Sequence, residues 1–188
     1  MSYVQRRRFL WILFLAGLAL LAVAASATTL TRLRFEVLAK QATAVARLRC
    51  LGAEARWENG EIWTDTRFEV VEENKGLLPG LVTIRTLGGT IDGLHSRVEG
   101  VPEFRAGEEA YVFLWSREGE PHRILGWSQG TFRIARDART GVETVTQDAA
   151  AAPIFDPRTR EFRRSGIRNL PVASFQLKLR KALEEKTP

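Results

Sequence analysis

Strict alternation over residues 62–70 is the clearest pattern in the chain. Ile62, Thr64, Thr66, Phe68 and Val70 face one way, and Trp63, Asp65, Arg67 and Glu69 face the other. A period of two marks a half-buried antiparallel strand. The segment running from Ala44 to Trp57 is also extended. Glu58-Asn59-Gly60-Glu61 joins the two as a hairpin, because Asn-Gly suits the left-handed positions of a two-residue turn. Asn74-Lys75-Gly76 ends the alternating strand, Pro79-Gly80 opens another over Leu81–Arg85, and Gly88-Gly89 closes that one.

Residues 88–108 are punctuated by glycines and read as a long connection, with a short strand at Ser96-Arg97-Val98. The continuous apolar run Ala110-Tyr111-Val112-Phe113-Leu114-Trp115 predicts a strand covered on both faces. Further strands are expected at Arg123–Trp127, Thr131–Ala135 and Val142–Val145, the last two joined through Asp137–Gly141. Six or seven short strands at this spacing predict a mainly β fold, a small OB-like antiparallel barrel over residues 28–148. Two helices frame it. Thr31 is placed to cap a short one running through about Gln41. Phe175, Leu179 and Leu183 share one face of a C-terminal amphipathic helix over 172–185, within a terminal segment 172–188. Between barrel and helix, residues 149–171 are rich in Ala, Pro and Arg and are expected to be a mobile linker.

The N-terminal segment has a different texture. Arg6-Arg7-Arg8 precede an apolar run from Phe9 to Ala25 that closes on Ala25-Ser26-Ala27. A basic start, a greasy middle and an A-x-A triplet predict an export signal over 1–27, with a mature chain beginning at Thr28 and a periplasmic or secreted destination. The rival is an uncleaved anchor helix holding the protein to the inner membrane, since the run is 17 residues long. Gln5-Arg6-Arg7-Arg8-Phe9-Leu10 also resembles the twin-arginine export pattern, although Sec export is favoured by the strong hydrophobicity of the run.

Charge narrows the partners. The full chain carries a net +6, but three arginines belong to the N-terminal segment. Residues 155–188 hold nine basic and four acidic groups, and residues 28–154 hold 16 basic and 18 acidic. A near-neutral body lacks the basic, aromatic-laced groove of a nucleic-acid binder. The basic tail instead suits anionic lipid, an acidic partner or plain solvation. The single cysteine, Cys50, excludes an intramolecular disulfide and lies in a strand-like apolar context.

Catalytic patterns are sparse. His95 and His122 are 27 residues apart and lack zinc-ligand spacing. Ser128 sits outside any nucleophile-elbow pattern, and Gly88-Gly89 lacks the context of a phosphate loop. His95 beside Asp92, Gly93 and Ser96 is the one place for a metal-dependent or hydrolytic site. Trp63 lies on the polar face of its strand and is a candidate exposed aromatic.

The order helix, strand, hairpin, Phe68-Glu69-Val70-Val71, Lys75-Gly76, Val82-Thr83-Ile84 and Gly107-Glu108-Glu109 before Tyr111-Val112-Phe113 resembles the netrin-like module. That module is the OB-type barrel of the tissue inhibitors of metalloproteinases and of related exported bacterial domains. The resemblance covers residues 31–135 and implies the barrel. It does not carry the inhibitory chemistry, which needs a cysteine at the mature N-terminus and bracing disulfides; Thr28 stands there instead. The chain also resembles uncharacterised exported bacterial proteins through Thr64-Asp65, Phe68, Lys75-Gly76, Gly88-Gly89, Phe104, Gly107-Glu108-Glu109 and Ser128-Gln129-Gly130-Thr131-Phe132.

These readings converge on an exported, non-enzymatic binding module of the bacterial envelope. No cofactor or metal is expected, and its partner is an envelope protein or ligand rather than nucleic acid. Membrane contact is open through residues 9–25 or the basic tail. The candidate interaction surface is Trp63, Gly88, Gly89, His95 and Gln129. Two alternatives stand beside it: an enzyme using loop residues around His95, and an envelope protein tethered by its N-terminal helix.

Overall fold

The computed structural model describes residues 31–185. The expected export signal, the rival anchor helix and their arginines lie outside the described residues. Among the described residues, no helix is long and apolar enough to cross a membrane.

The described residues open with an extended stretch and a short helix, α1 (Phe35–Gln41). Thr31 does not cap it; Arg34 holds that position and makes no side-chain cap. Instead Thr31 forms a parallel bridge with Phe155, and Arg32 N–H donates to Phe155 O at 2.9 Å. The Gln129 side-chain amide accepts from Leu33 N–H at 2.8 Å and donates to Thr31 O at 2.9 Å. These long-range bonds hold residues 31–33 extended, so the helix starts later than local sequence alone would place it.

Two long strands follow, β1 (Ala44–Glu58) and β2 (Glu61–Lys75). Asn59 and Gly60 turn between them at φ 53° and 82°, the left-handed pair of a type I′ hairpin. The even face of β2 points inward as its alternation predicts: Ile62, Thr66 and Phe68 are buried, while Arg67 is exposed. Irregularities in register near Val45, Arg47 and Cys50 coil the hairpin, as bulges do. Next come β3 (Leu81–Leu87), a small hairpin of β4 (Gly89–Ile91) and β5 (Leu94–Ser96), then β6 (Glu109–Trp115) and β7 (Arg123–Ile124). The expected strand at 96–98 lies instead at 94–96, where it can pair with β4. A single turn of 3-10 helix at Trp127–Gly130 leads into β8 (Thr131–Arg136) and β9 (Glu143–Gln147).

Residues 149–171 are built into the fold rather than forming a mobile linker. Ala149 and Ala150 are buried in a 3-10 turn, and β10 (Pro153–Asp156) pairs with β11 (Glu161–Arg164). A two-residue strand, β12 (Leu170–Pro171), then adds to β9, and Gln147 N–H donates to Ile167 O at 2.9 Å. Backbone pairing with β9 secures a segment whose side chains carry no alternation.

The principal sheet is antiparallel and runs β12-β9-β8-β6-β1-β2-β3, with β7 beside β6. The expected barrel does not close. Among the described residues a single parallel bridge, Ile84 to His122, reaches from β3 back to the residues before β7, with Arg85 N–H donating to His122 O at 2.9 Å.

The β6 strand separates two cores, which accounts for its unbroken apolar sequence. Ala110, Val112 and Leu114 pack inside the curled sheet with Leu48, Cys50, Phe68, Val82 and Ile84. Tyr111 and Phe113 pack on the other side with Val45, Phe132 and both helices. The second helix, α2 (Val172–Glu184), buries Phe175, Leu179 and Ala182 there. Phe35 of α1 meets Phe113, Phe132 and Phe175 edge-on at 5.6–5.7 Å. Burying Phe175 alone contributes about 1.5–3 kcal/mol.

Candidate functional site

Beyond Arg49, β1 leaves β6, and the upper half of the β1–β2 hairpin pairs only with itself and β3. Small side chains line its inner face: Ala53 and Ala55 from β1, Thr64 and Thr66 from β2, Thr86 from β3. The layer below is filled by Phe68, which packs edge-on against Phe104 at 5.0 Å. The layer of alanines and threonines is too small to fill the same space. A cavity of about 200 Å³ remains, roofed by the β4–β5 hairpin and by Val98–Phe104.

Gly88 and Gly89 let the chain make that roof. Gly88 has φ 95°, and a Cβ there would come within 2.7 Å of Ser96 O. The carbonyl of Gly88 accepts from Thr64 Oγ1 at 2.6 Å, and Gly88 N–H donates to Ile62 O at 2.7 Å. His95 stands at the rim, its Nδ1 2.8 Å from Thr90 Oγ1 across the small hairpin. On the far side of His95 and Ser96 a second, more apolar groove of about 390 Å³ runs along Ile62, Leu87 and Val98. Trp57 and Leu94 flank it, 51% and 52% exposed. The two spaces share Leu87, His95, Ser96 and Val98 as lining.

Three of the five residues proposed from sequence meet here: Gly88, Gly89 and His95 all line the cavity. Trp63 lies on the opposite face of β2, its ring 5.3 Å from the Arg123 guanidinium. Gln129 is buried elsewhere, bonded to Leu33 and Thr31, and its carbonyl accepts from Gln147 Nε2 at 2.6 Å. Sequence reasoning missed Ala53, Ala55, Thr64, Thr66, Thr86 and Trp57. The signal was present as small residues alternating on one face of both hairpin strands.

Asp92 occupies the β4–β5 turn at φ 51° and does not line the cavity beside His95. No cluster of three or more His, Cys, Asp or Glu side chains suited to a metal ion occurs among the described residues. His122 lies before β7, with Nδ1 buried and lacking a partner among the described residues.

A polar network on the helix side of the sheet is structural in character. Arg47 binds Glu109 at 2.6 Å and Glu143 at 3.1 Å, and Arg49 binds Glu109 at 2.8 Å and Glu69 at 2.9 Å. Burial opposes the Glu109 charge, but the two guanidiniums outweigh it and hold its carboxyl below the usual range. The Tyr111 hydroxyl donates to Glu72 at 3.2 Å and accepts from Gln176 at 3.1 Å, which ties α2 to the sheet. Burial, with Glu72 beside it, pushes the Tyr111 phenol up to about 12. A phenol so far from neutrality is no general base.

Comparison with protein-family models, curated proteins and solved structures finds no match.

Proposed function

We propose that this is an exported, non-enzymatic binding module whose ligand seat is the cavity and groove at the open end of the sheet. The observation that carries the reading is the cavity of about 200 Å³ under the glycine-built roof, opening beside exposed Trp57 and Leu94. Its lining mixes alanine, threonine and glycine with Leu87, Val98, Val101, Pro102 and Phe104, and His95 and Glu103 are its ionisable members. Such a seat suits an apolar side chain or a small uncharged group carrying one or two hydroxyl or amide partners. Its volume is close to that of a cavity that takes one aromatic ring, about 150 Å³.

Periplasmic or secreted placement belongs to the same proposal and rests on Arg6-Arg7-Arg8, the apolar run and Ala25-Ser26-Ala27. The netrin-like resemblance is compatible with it as a likeness of strand order. A binding module of the envelope needs neither a metal nor a nucleophile.

The test is occlusion. Ala53 lines the cavity from an exposed position on β1, so Ala53→Phe should fill the seat without loading the core. Cross-linking in the envelope fraction should capture a partner or ligand with the native chain and lose it with Ala53→Phe at unchanged melting temperature. Equal capture by both proteins would refute the seat. N-terminal sequencing should return Thr28 in soluble envelope material, whereas Met1 from a membrane pellet would overturn the cleaved-export reading.

A further inference from the structure

The open edge of β1 is the strongest unused feature of the molecule. Pairing with β6 stops at Arg49, and the last links on that side are Cys50 N–H to Glu108 O and Gly107 N–H to Cys50 O. From Gly52 to Glu58 the strand pairs only with β2. Glu58 opposite Glu61 closes the two-residue turn and is therefore a hydrogen-bonded pair. Alternation then makes Arg56, Glu54 and Gly52 bond inward to β2, which leaves the backbone groups of Trp57, Ala55 and Ala53 pointing out from the sheet. The edge has no proline or lysine to blunt it.

We infer that this edge pairs with the same edge of a second copy, antiparallel and centred on Ala55. The register is fixed by the chain itself. Centring on Ala55 matches every outward backbone group of Ala53, Ala55 and Trp57 with one of the partner copy, since Ala55 faces its own counterpart and Ala53 faces Trp57. On the cavity side, the exposed Trp57 ring covers the second copy's Ala53. On the other side, Glu54 of each copy stands directly opposite Arg56 of the other.

That charge pairing is unusually well prepared. Glu54 makes no ion pair among the described residues, and Arg56 keeps its Nε buried without a partner. Arg56 already heads an alternating cluster, bound to Asp65 at 2.9 Å and Glu58 at 3.3 Å, with Arg85 binding Asp65 at 2.9 Å and Glu58 at 3.2 Å. A second copy's Glu54 continues the alternation across the axis. Any other register that preserves hydrogen bonding opposes Glu54 to a glutamate or to a residue without charge. An isologous contact of this kind closes on itself as a dimer. Two paired seven-residue segments make a small interface, so the association falls in the weak, transient class.

Sedimentation of the purified chain beginning at Thr28, at about 300 µM, a concentration chosen to populate a weak, transient pair, should show a dimer. Glu54→Lys alone should be monomeric because two cations would then stand opposite each other. Arg56→Glu alone should be monomeric because two carboxylates would. An equimolar mixture of the two variants should recover the dimer, each opposite pair then being complementary. Ala55→Pro removes one outward N–H without touching the ladder to β2 and should also give monomers of native melting behaviour. A native chain that stays monomeric throughout overturns the inference, as does a dimer that Glu54→Lys and Ala55→Pro leave intact. The seat proposed above is judged separately, by capture of something other than a second copy; because Ala53 also stands at this seam, the association of Ala53→Phe is measured beside its capture.

Discussion

Phe68→Ala tests both the strand register and the floor of the cavity. Phe68 is 1% exposed, pairs across β1 with Cys50 and across β3 with Val82, and packs edge-on against Phe104 at 5.0 Å. Truncating a buried phenylalanine costs about 3–5 kcal/mol, the upper part applying where neighbours cannot collapse into the space. Here the ring has the existing cavity above it and the edge of Phe104 beside it, so relaxation is limited and the void enlarges. In a domain of this size each kcal/mol lowers the melting temperature by about 2–4 °C, which gives a fall of roughly 6–20 °C. Arg67, the next residue, is exposed on the opposite face, and Arg67→Ala should move the melt by no more than about 2 °C. Thermal unfolding followed by circular dichroism at neutral pH compares the two directly. Equal losses, or a larger loss for Arg67→Ala, would refute the inward assignment of the even positions.

Tyr111→Phe should cost about 1 kcal/mol, because it removes the hydroxyl that links Glu72 to Gln176 while keeping the ring against Phe175; chemical denaturation measures it. In the native protein an ultraviolet titration of the phenols should show Tyr111 resisting ionisation below about pH 11, and its ionisation near pH 10 would contradict the burial described. The Glu109 carboxyl is held below its unfolded value, so its contribution is present above that value and disappears as pH falls through the lower, folded one. Native stability should therefore decline below about pH 4.5, and Glu109→Gln should be less stable at neutral pH yet lose less between about pH 5 and 3. Gly88→Ala should destabilise by about 1–3 kcal/mol and disturb binding together, since φ 95° and the Ser96 carbonyl both exclude a Cβ.

What was legible in the sequence was local. The alternation of residues 62–70, the Asn59-Gly60 turn and the unbroken apolar run of β6 each carry their structural meaning within a few residues. Phe175 and Leu179 show their face for the same reason. What was illegible depends on partners distant in sequence. Thr31 looks like a helix cap until Gln129, 98 residues away, takes its carbonyl. Residues 149–171 look like a linker because alanine, proline and arginine carry no period, and their order comes from backbone pairing with β9 and burial of Ala149 and Ala150. The cavity was half visible. Gly88, Gly89 and His95 announce a tight loop, but an empty space is set by what stands across from it. Alanines and threonines in a strand give no notice that nothing fills the gap between them.

The meeting of the two helices also sets an order of events in time. Lys178 reaches Glu36 across 142 residues of sequence, and Gln176 reaches Glu72 across 104. Contacts so distant along the chain slow folding into the millisecond-to-second range, because loop closure precedes its reward. The aromatic core around Phe35 and Phe132 is completed only when Phe175, 140 residues after Phe35, joins it. Until then the nascent polypeptide keeps an unfinished, greasy flank and stays loose. If the chain crosses the membrane by the Sec route that its N-terminal pattern predicts, that delay is an advantage: this core cannot close before Phe175 has been made.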